Sequence, residues 1–272
     1  MPRKVHIRTK IFFIVLVAVL PTVLFSVYTT LSFRSAYLEG SATYLTNLCN
    51  SFTNEQRLIA RNAEQMLLAI SKTRSVMNKE YSFLNRYLSD LMFLYQDYAV
   101  LLCANSDGMV IASSINKTGY SLSDRPYFNH AKATNAFTIG QYIVSRSTGV
   151  SSITYTLPVR DTSGSRVFLI GTYALDKYSR ELSLGRLGKD AVLEIADSDG
   201  VCLFSSSSDP LIVPGQPLPS SLFSLMKDHA RKNPKKVEIE GKEWFASTDY
   251  YSRNGTALYI SVRIPYENVV RE

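Results

Sequence analysis

The segment SLSDRPYFNHA (121–131) sets one arginine against the start of a helix. Pro126 favours the first helical turn and pushes the residue before it out of helical geometry, so Arg125 stands at the helix mouth with its side chain free to reach outward. The helix N-terminus adds partial positive charge, and a guanidinium fork suits a carboxylate. The competing role for Arg125 is to pair with Asp124 or another local acid and fix the turn. Tyr127 and Phe128 follow as wall residues or plain core. FTIGQYIVS, SSITYTLPV and RVFLIGTYAL, all rich in β-branched and aromatic residues, read as three strands. If DTSG (161–164) closes a hairpin between 160 and 165, Ser152, Thr154 and Thr156 share a face with Val167, Leu169, Gly171 and Tyr173. Hydroxyls beside a glycine make that face the polar wall of a small pocket. Ile153, Tyr155, Leu157, Phe168 and Ile170 fall on the other face as core. Tyr142 and Ser145 join the candidate ligand-binding residues from the neighbouring strand.

Other chemistries lack their residues. No GxSxG, HExxH, P-loop or GxGxxG pattern is present, so the reading is not an enzyme and no cofactor is expected. His6, His130 and His229 are scattered and give no metal site. Cys49, Cys103 and Cys202 have no CxxC spacing; Cys103 and Cys202 read as small buried hydrophobes, with a bridge between them as the alternative. Of the formal charge of +7, Arg3, Lys4, Arg8 and Lys10 supply four, which leaves +3 over residues 11–272. That is no broad electrostatic claim on nucleic acid.

The elements that position these residues begin with IFFIVLVAVLPTVLFSVYTTLSF (11–33), which has no charge. As a helix it would be roughly 34 Å long, enough to cross a bilayer, and the basic residues before it place the N-terminus in the cytoplasm. An uncleaved anchor fits better than a signal peptide, since the apolar run is long and no small-x-small site follows it. Residues 34–95 contain no proline and only Gly40, and read as a long stalk helix with seven-residue stripes: Leu45, Phe52, Ile59, Met66, Thr73 on one, and Ala63, Ile70, Met77, Leu84, Leu91 beside it. From about residue 97 strands and hairpins follow. AVLLCANSDGMVIASS (99–114) aligns without gaps to AVLEIADSDGVCLFSS (191–206), a constant offset of 92 that implies two copies of one unit. The second copy continues through a Pro-rich loop (210–219), a helix to about Arg231 and three strands; its basic run from Lys227 to Lys236 reads as a solvated helix end and loop, with contact to anionic lipid headgroups as the alternative.

A membrane anchor, a stalk helix and two tandem PAS-like units resemble the double Cache sensors of bacterial receptors, most specifically over 99–175. The resemblance implies an α+β fold: cytoplasmic tail 1–10, transmembrane helix 11–33, stalk 34–95, membrane-distal unit 96–184 and membrane-proximal unit 185–272. It implies a sensor module outside the bacterial inner membrane, with a small ligand in the distal unit and relay of the signal by the proximal unit; the stripes of the stalk suit packing on its own domain and against a second copy in a homodimer. The amino-acid-binding branch of the family has Tyr, Arg five residues later, two aromatics, and a downstream Asp that holds the ammonium group. Tyr120, Arg125, Tyr127 and Phe128 match its first part, with Tyr where Trp is usual; Tyr173 stands at the downstream position and its strand has no acid. The expected ligand is therefore a small organic carboxylate without an α-amino group. Such receptors continue into a second membrane helix and a cytoplasmic kinase, cyclase or chemotaxis module. The alternative is a tethered binding protein without its own output.

Overall fold

The apolar segment and the stalk form one helix, α1 (Ile7–Ser71), in a computed structural model that describes residues 7–177, 182, 184–228 and 234–270. It is one helix long and apolar enough to cross a membrane. On that stretch Val17, Leu24, Phe25 and Tyr28 are all exposed, as lipid contact requires. Pro21 removes one helical N–H, while Thr22, Thr29 and Thr30 hydroxyls donate back to the carbonyls of Val19 and Ser26 and so need no outside partner.

The stalk is shorter than its composition predicts. Helix α1 stops at Ser71 rather than continuing to 95, and α2 (Arg74–Met77) and α3 (Tyr81–Leu91) complete the segment as separate helices. The break falls at SKT, where Ser71 Oγ and Thr73 Oγ1 donate to the carbonyls of Leu68 and Ile70 and offer the backbone an alternative to the helix. On both sides of it the striped residues do bury: Leu45, Phe52, Ala63, Ile70 and Leu84 are all in the core.

Two five-stranded antiparallel sheets follow, with the same strand order. The first comprises β1 (Tyr98–Asn105), β2 (Val110–Ser113), β3 (Thr138–Val144), β4 (Ser151–Arg160) and β5 (Arg166–Ala174), ordered β2-β1-β5-β4-β3. The second comprises β6 (Val192–Ala196), β7 (Cys202–Ser205), β8 (Lys235–Ile239), β9 (Lys242–Arg253) and β10 (Thr256–Pro265), ordered β7-β6-β10-β9-β8. One face of each sheet packs on α1, and residues of α1 and both sheets form one continuous core. The opposite faces carry separate clusters, under α4 (Pro126–Thr134) in the first unit and α5 (Ser220–Lys227) in the second. A short α6 (Tyr266–Val270) ends the described chain. Helix α5 ends at Lys227, and residues 229–233 of the basic run lie outside the described residues.

The 92-residue repeat extends to single hydrogen bonds. Asn105 Oδ1 accepts from the N–H groups of Asp107 and Met109, and Asp197 Oδ1 accepts from those of Asp199 and Val201. Ser114 and Ser206 hydroxyls accept from Leu101 and Leu193 in turn. Gly108 and Gly200 both adopt φ of +83°, a value glycine takes without penalty. The three cysteines are free and buried, so the Cys103–Cys202 bridge does not form. Burial pushes the Cys103 and Cys202 thiols up to about 12, which leaves them protonated and unreactive at neutral pH.

The one difference at the turn residue has a cause. Asn105 needs a single acceptor oxygen, whereas the second oxygen of Asp197 accepts the Tyr142 N–H across the junction between units, at 2.8 Å. Burial raises the Asp197 carboxyl, opposed by its hydrogen bonds from Tyr142 and Val201. We expect Asp197→Asn to cost about 1–3 kcal/mol, because the amide must set N–H against N–H at one of its contacts. Asn105→Asp should lie within about 0.5 kcal/mol of the parent. Urea unfolding of the two variants in detergent checks the asymmetry, and equal losses would refute it.

Candidate functional site

Arg125 lies where Pro126 was expected to hold it. Its backbone is extended (φ −87°, ψ 125°), it occupies the cap position of α4, and Pro126 opens the helix. The competing role falls to a different residue. Asp124 pairs with Arg146, Nη2 to Oδ2 at 2.7 Å and Nη1 to Oδ1 at 3.2 Å, and Arg146 also donates to the Ser121 carbonyl. The Arg125 guanidinium makes no hydrogen bond or ion pair among the described residues, although its backbone bonds Leu122, Phe128 and Asn129. An uncommitted guanidinium at a helix start is an anion-binding arrangement.

It faces a cavity of about 10 Å³, the room of a single water. The lining comprises Leu102, Tyr120, Leu122, Arg125, Tyr127, Ile143, Ser145, Arg146, Ser147 and Thr172. No acid is among them. Burial pushes the hydroxyls of Tyr120 and Tyr127 above the ordinary phenol range, so both remain proton donors at neutral pH. Tyr120 Oη is buried without a hydrogen-bond partner. The neighbouring Arg146 guanidinium holds the Asp124 carboxyl below its usual range, so the pair that closes the mouth persists at neutral pH.

Of the six predicted residues, the structure brings Arg125, Tyr127 and Ser145 together on this cavity. Thr154 stands behind them. It is fully buried, its Oγ1 lacks a partner, and a Cβ built on Gly140 would meet that oxygen at 2.0 Å and Tyr127 Cβ at 3.0 Å. Tyr142 belongs elsewhere. Its hydroxyl pairs with Ser151 at 2.9 Å, and its ring packs against Gly215 of the second unit. The alternation along β3 breaks between Ile139 and Tyr142, which turns Tyr142 to the α1 side.

Tyr173 is a correction with a simple origin. The β4–β5 pairing runs Arg160↔Arg166, Thr154↔Thr172 and Ile153↔Tyr173, one residue out from a hairpin closed by DTSG alone. The loop holds five residues, Asp161 to Ser165. Asp161 Oδ1 accepts the Ser165 N–H at 2.9 Å and the Ser163 hydroxyl at 2.7 Å, drawing Ser165 into the turn. A one-residue slip reverses every side chain. Tyr173 and Leu169 therefore join Tyr155, which lies as expected, in the core on α1, where the Tyr173 ring meets Tyr98 edge-on at 5.1 Å. Phe168 and Ile170 move to the α4 face, and Thr172 reaches the cavity. Arg146 and Thr172, with Leu102, Leu122, Ile143 and Ser147, are the lining residues that sequence reasoning missed. A five-residue reading of DTSGS was the available signal for Thr172; nothing local marked Arg146.

Comparison with known proteins agrees on the fold. No protein-family model matches the chain. A curated relative, sporulation kinase D of Bacillus subtilis, is 30% identical over 139 residues, which cover 50% of this chain and 25% of that protein. The chain thus matches only about a quarter of that relative's length. The extracellular domain named as that of histidine kinase rpHK1S-Z16 superposes with a TM-score of 0.65 at 18% identity, over 86% of this chain and 98% of that one. The ligand-binding domain of the Pseudomonas fluorescens chemoreceptor CtaA, solved with L-isoleucine, gives 0.61 at 12% identity, over 88% and 97%. One long helix shared by two repeated antiparallel sheets is accordingly the double Cache fold of extracellular receptor domains.

Proposed function

We propose that this chain is the sensing part of a membrane receptor, held outside the bacterial inner membrane by α1, and that its first unit, residues 96–184, binds a small organic carboxylate. The observation that carries the ligand class is the uncommitted Arg125 guanidinium in a lining with no acid. A carboxylate gains two charge-assisted bonds there and further donors from Tyr120 and Tyr127. An α-amino group would enter with no carboxylate to meet it, at a cost in desolvation. The CtaA domain is solved with an amino acid bound, so the ligand class proposed here rests on this chain's own residues. The second unit, residues 185–272, relays the signal toward the membrane. A homodimer along α1 completes the reading, favoured by Leu58 and Leu68, which stay exposed on its outer side. Output would come from a cytoplasmic kinase, cyclase or chemotaxis module in the receptor's full length.

The cavity is too small for a carboxylic acid as it stands, so binding requires its lining to open beside the Arg146–Asp124 pair. Arg146 and Asp124 are both surface side chains, and solvent screens such a pair, so it is a weak barrier to opening.

Arg125→Ala should weaken carboxylate binding by roughly 30-fold or more, the lower end of the cost of truncating one member of a buried charge pair. Because the Arg125 side chain has no partner among the described residues, the melting temperature of the variant should not fall. Calorimetric titration with acetate, propionate and succinate, beside glycine and alanine, is the measurement; a response to the amino acids alone would overturn the ligand class.

Thr172→Asp provides the counterpart. It places an acid on the cavity wall, and we expect lost carboxylate binding together with gained affinity for α-amino acids. Tyr173→Asp, one residue on, should instead destabilise the chain by about 3 kcal/mol or more by burying an unpaired acid among Tyr98 and Tyr155. Melting curves separate the two positions, and equal behaviour would contradict the pairing of β4 with β5.

A further inference from the structure

The repeat that relates the two sheets also relates their chemistry. Leu102 pairs with Ile170 in the first sheet and Glu194 pairs with Ser261 in the second, and the offset of 92 sets Glu194 where Leu102 stands. Two residues along, Arg263 takes the place of Thr172. Leu102 and Thr172 both line the cavity of the first unit. The same place in the second unit therefore holds a carboxylate and a guanidinium, with Glu194 0% and Arg263 2% exposed.

These two satisfy each other only in part. Arg263 Nε and Nη2 both donate to Glu194 Oε1, at 3.0 and 2.6 Å, and its guanidinium lies 3.9 Å from the Trp244 ring centroid. Glu194 Oε2, Ser261 Oγ and Trp244 Nε1 are buried without any hydrogen-bond partner. Ser261 is fully buried and directly opposite Glu194 in the ladder, so the three orphans belong to one connected cluster. Native proteins seldom leave such groups unmet, and three in one cluster point to a guest.

We propose that the second unit carries a binding site of its own on this face, for a small uncharged molecule that offers both a hydrogen-bond donor and an acceptor. The chemistry follows from the atoms. Glu194 Oε2 only accepts, so the guest must donate; Trp244 Nε1–H only donates, so the guest must accept; the Ser261 hydroxyl serves either end. Glu194 and Arg263 already cancel in charge, so a charged guest would bury an uncompensated ion. The neighbours across the ladder are short, Ala246 opposite Arg263 and Thr248 opposite Ser261. A primary amide or a small alcohol meets all these conditions. This site is independent of the one at Arg125.

Trp244 is the chain's single tryptophan, so its fluorescence reports on this unit and on no other. The full chain in detergent micelles, titrated with acetamide, should give a saturable change. N,N-dimethylacetamide, which accepts but cannot donate, should give none. Ser261→Ala should weaken acetamide binding by roughly fivefold, the worth of one hydrogen bond, without lowering the melting temperature, while Arg125→Ala should bind acetamide as the parent does. Trp244→Phe, read by thermal shift, should lose the acetamide-induced rise while its ring still supports Arg263. A linear response to acetamide that is the same in Ser261→Ala overturns the proposal. So does a crystal structure grown in acetamide in which the three atoms are joined by water alone.

Discussion

A single helix serves as core for two sheets, and the rest of the architecture depends on that. Leu45, Cys49, Phe52, Ala63, Met66 and Ile70 of α1 share one core with Leu258, Ile260 and Val262 of the second sheet and Ile153, Tyr155 and Leu169 of the first. Burying one face of each sheet on a common helix provides most of the hydrophobic stabilisation of both. It also commits that face to packing. Chemistry is left to the other faces, where α4 and α5 are short and polar side chains approach the sheet. The uncommitted Arg125 and the buried Glu194–Arg263 pair both occur there.

The sheets meet through the edge of β3 as well as through α1. Asn254 Nδ2 donates to the Phe137 carbonyl at 2.8 Å, the Ile139 N–H donates to Thr256 Oγ1 at 3.3 Å, and the Tyr142 N–H donates to Asp197. His130 on α4 reaches the Asn254 carbonyl at 2.8 Å. An unpaired strand edge is ordinarily a liability, and here the second unit occupies it with side chains. The same strand runs on into Ile143 and Ser145 of the cavity wall. Any displacement of that wall must therefore strain or shift the bonds to the second unit.

Legibility from sequence tracks how locally each feature is determined. The repeat could be read because its turns are fixed by residues within it: Asn105 or Asp197 caps the loop, glycine supplies positive φ, and a serine closes the far end. Arg125 could be read because Pro126, its neighbour, dictates its backbone. The stripes of α1 could be read because helical period and burial coincide. The extent of the stalk was misread because Ser71 and Thr73 end the helix with their own hydroxyls, in a stretch with no glycine or proline to announce it. The facing of β5 was misread because it turns on whether Ser165 belongs to the loop or the strand, a choice made by one Asp161 hydrogen bond. Arg146 was invisible because its partner Asp124 lies 22 residues earlier and meets it only in the folded chain.

That one-residue slip has a chemical consequence beyond a relabelled face. With Tyr173 toward the cavity, the site would present a large ring and the glycine beside it. With Thr172 there, it presents a short hydroxyl, and Gly171 instead makes room on the α1 side, where Tyr98 Cε1 would lie 2.8 Å from an added Cβ. The short residue at 172 and the absence of an acid from the lining leave Arg125 as the unpaired charge on the cavity, beside Arg146, which Asp124 neutralises. In the second unit the corresponding positions are filled by Arg263 and Glu194, which neutralise each other. Two copies of one fold have thus diverged at equivalent positions, one presenting a charge to be met from outside and the other meeting its charge from within.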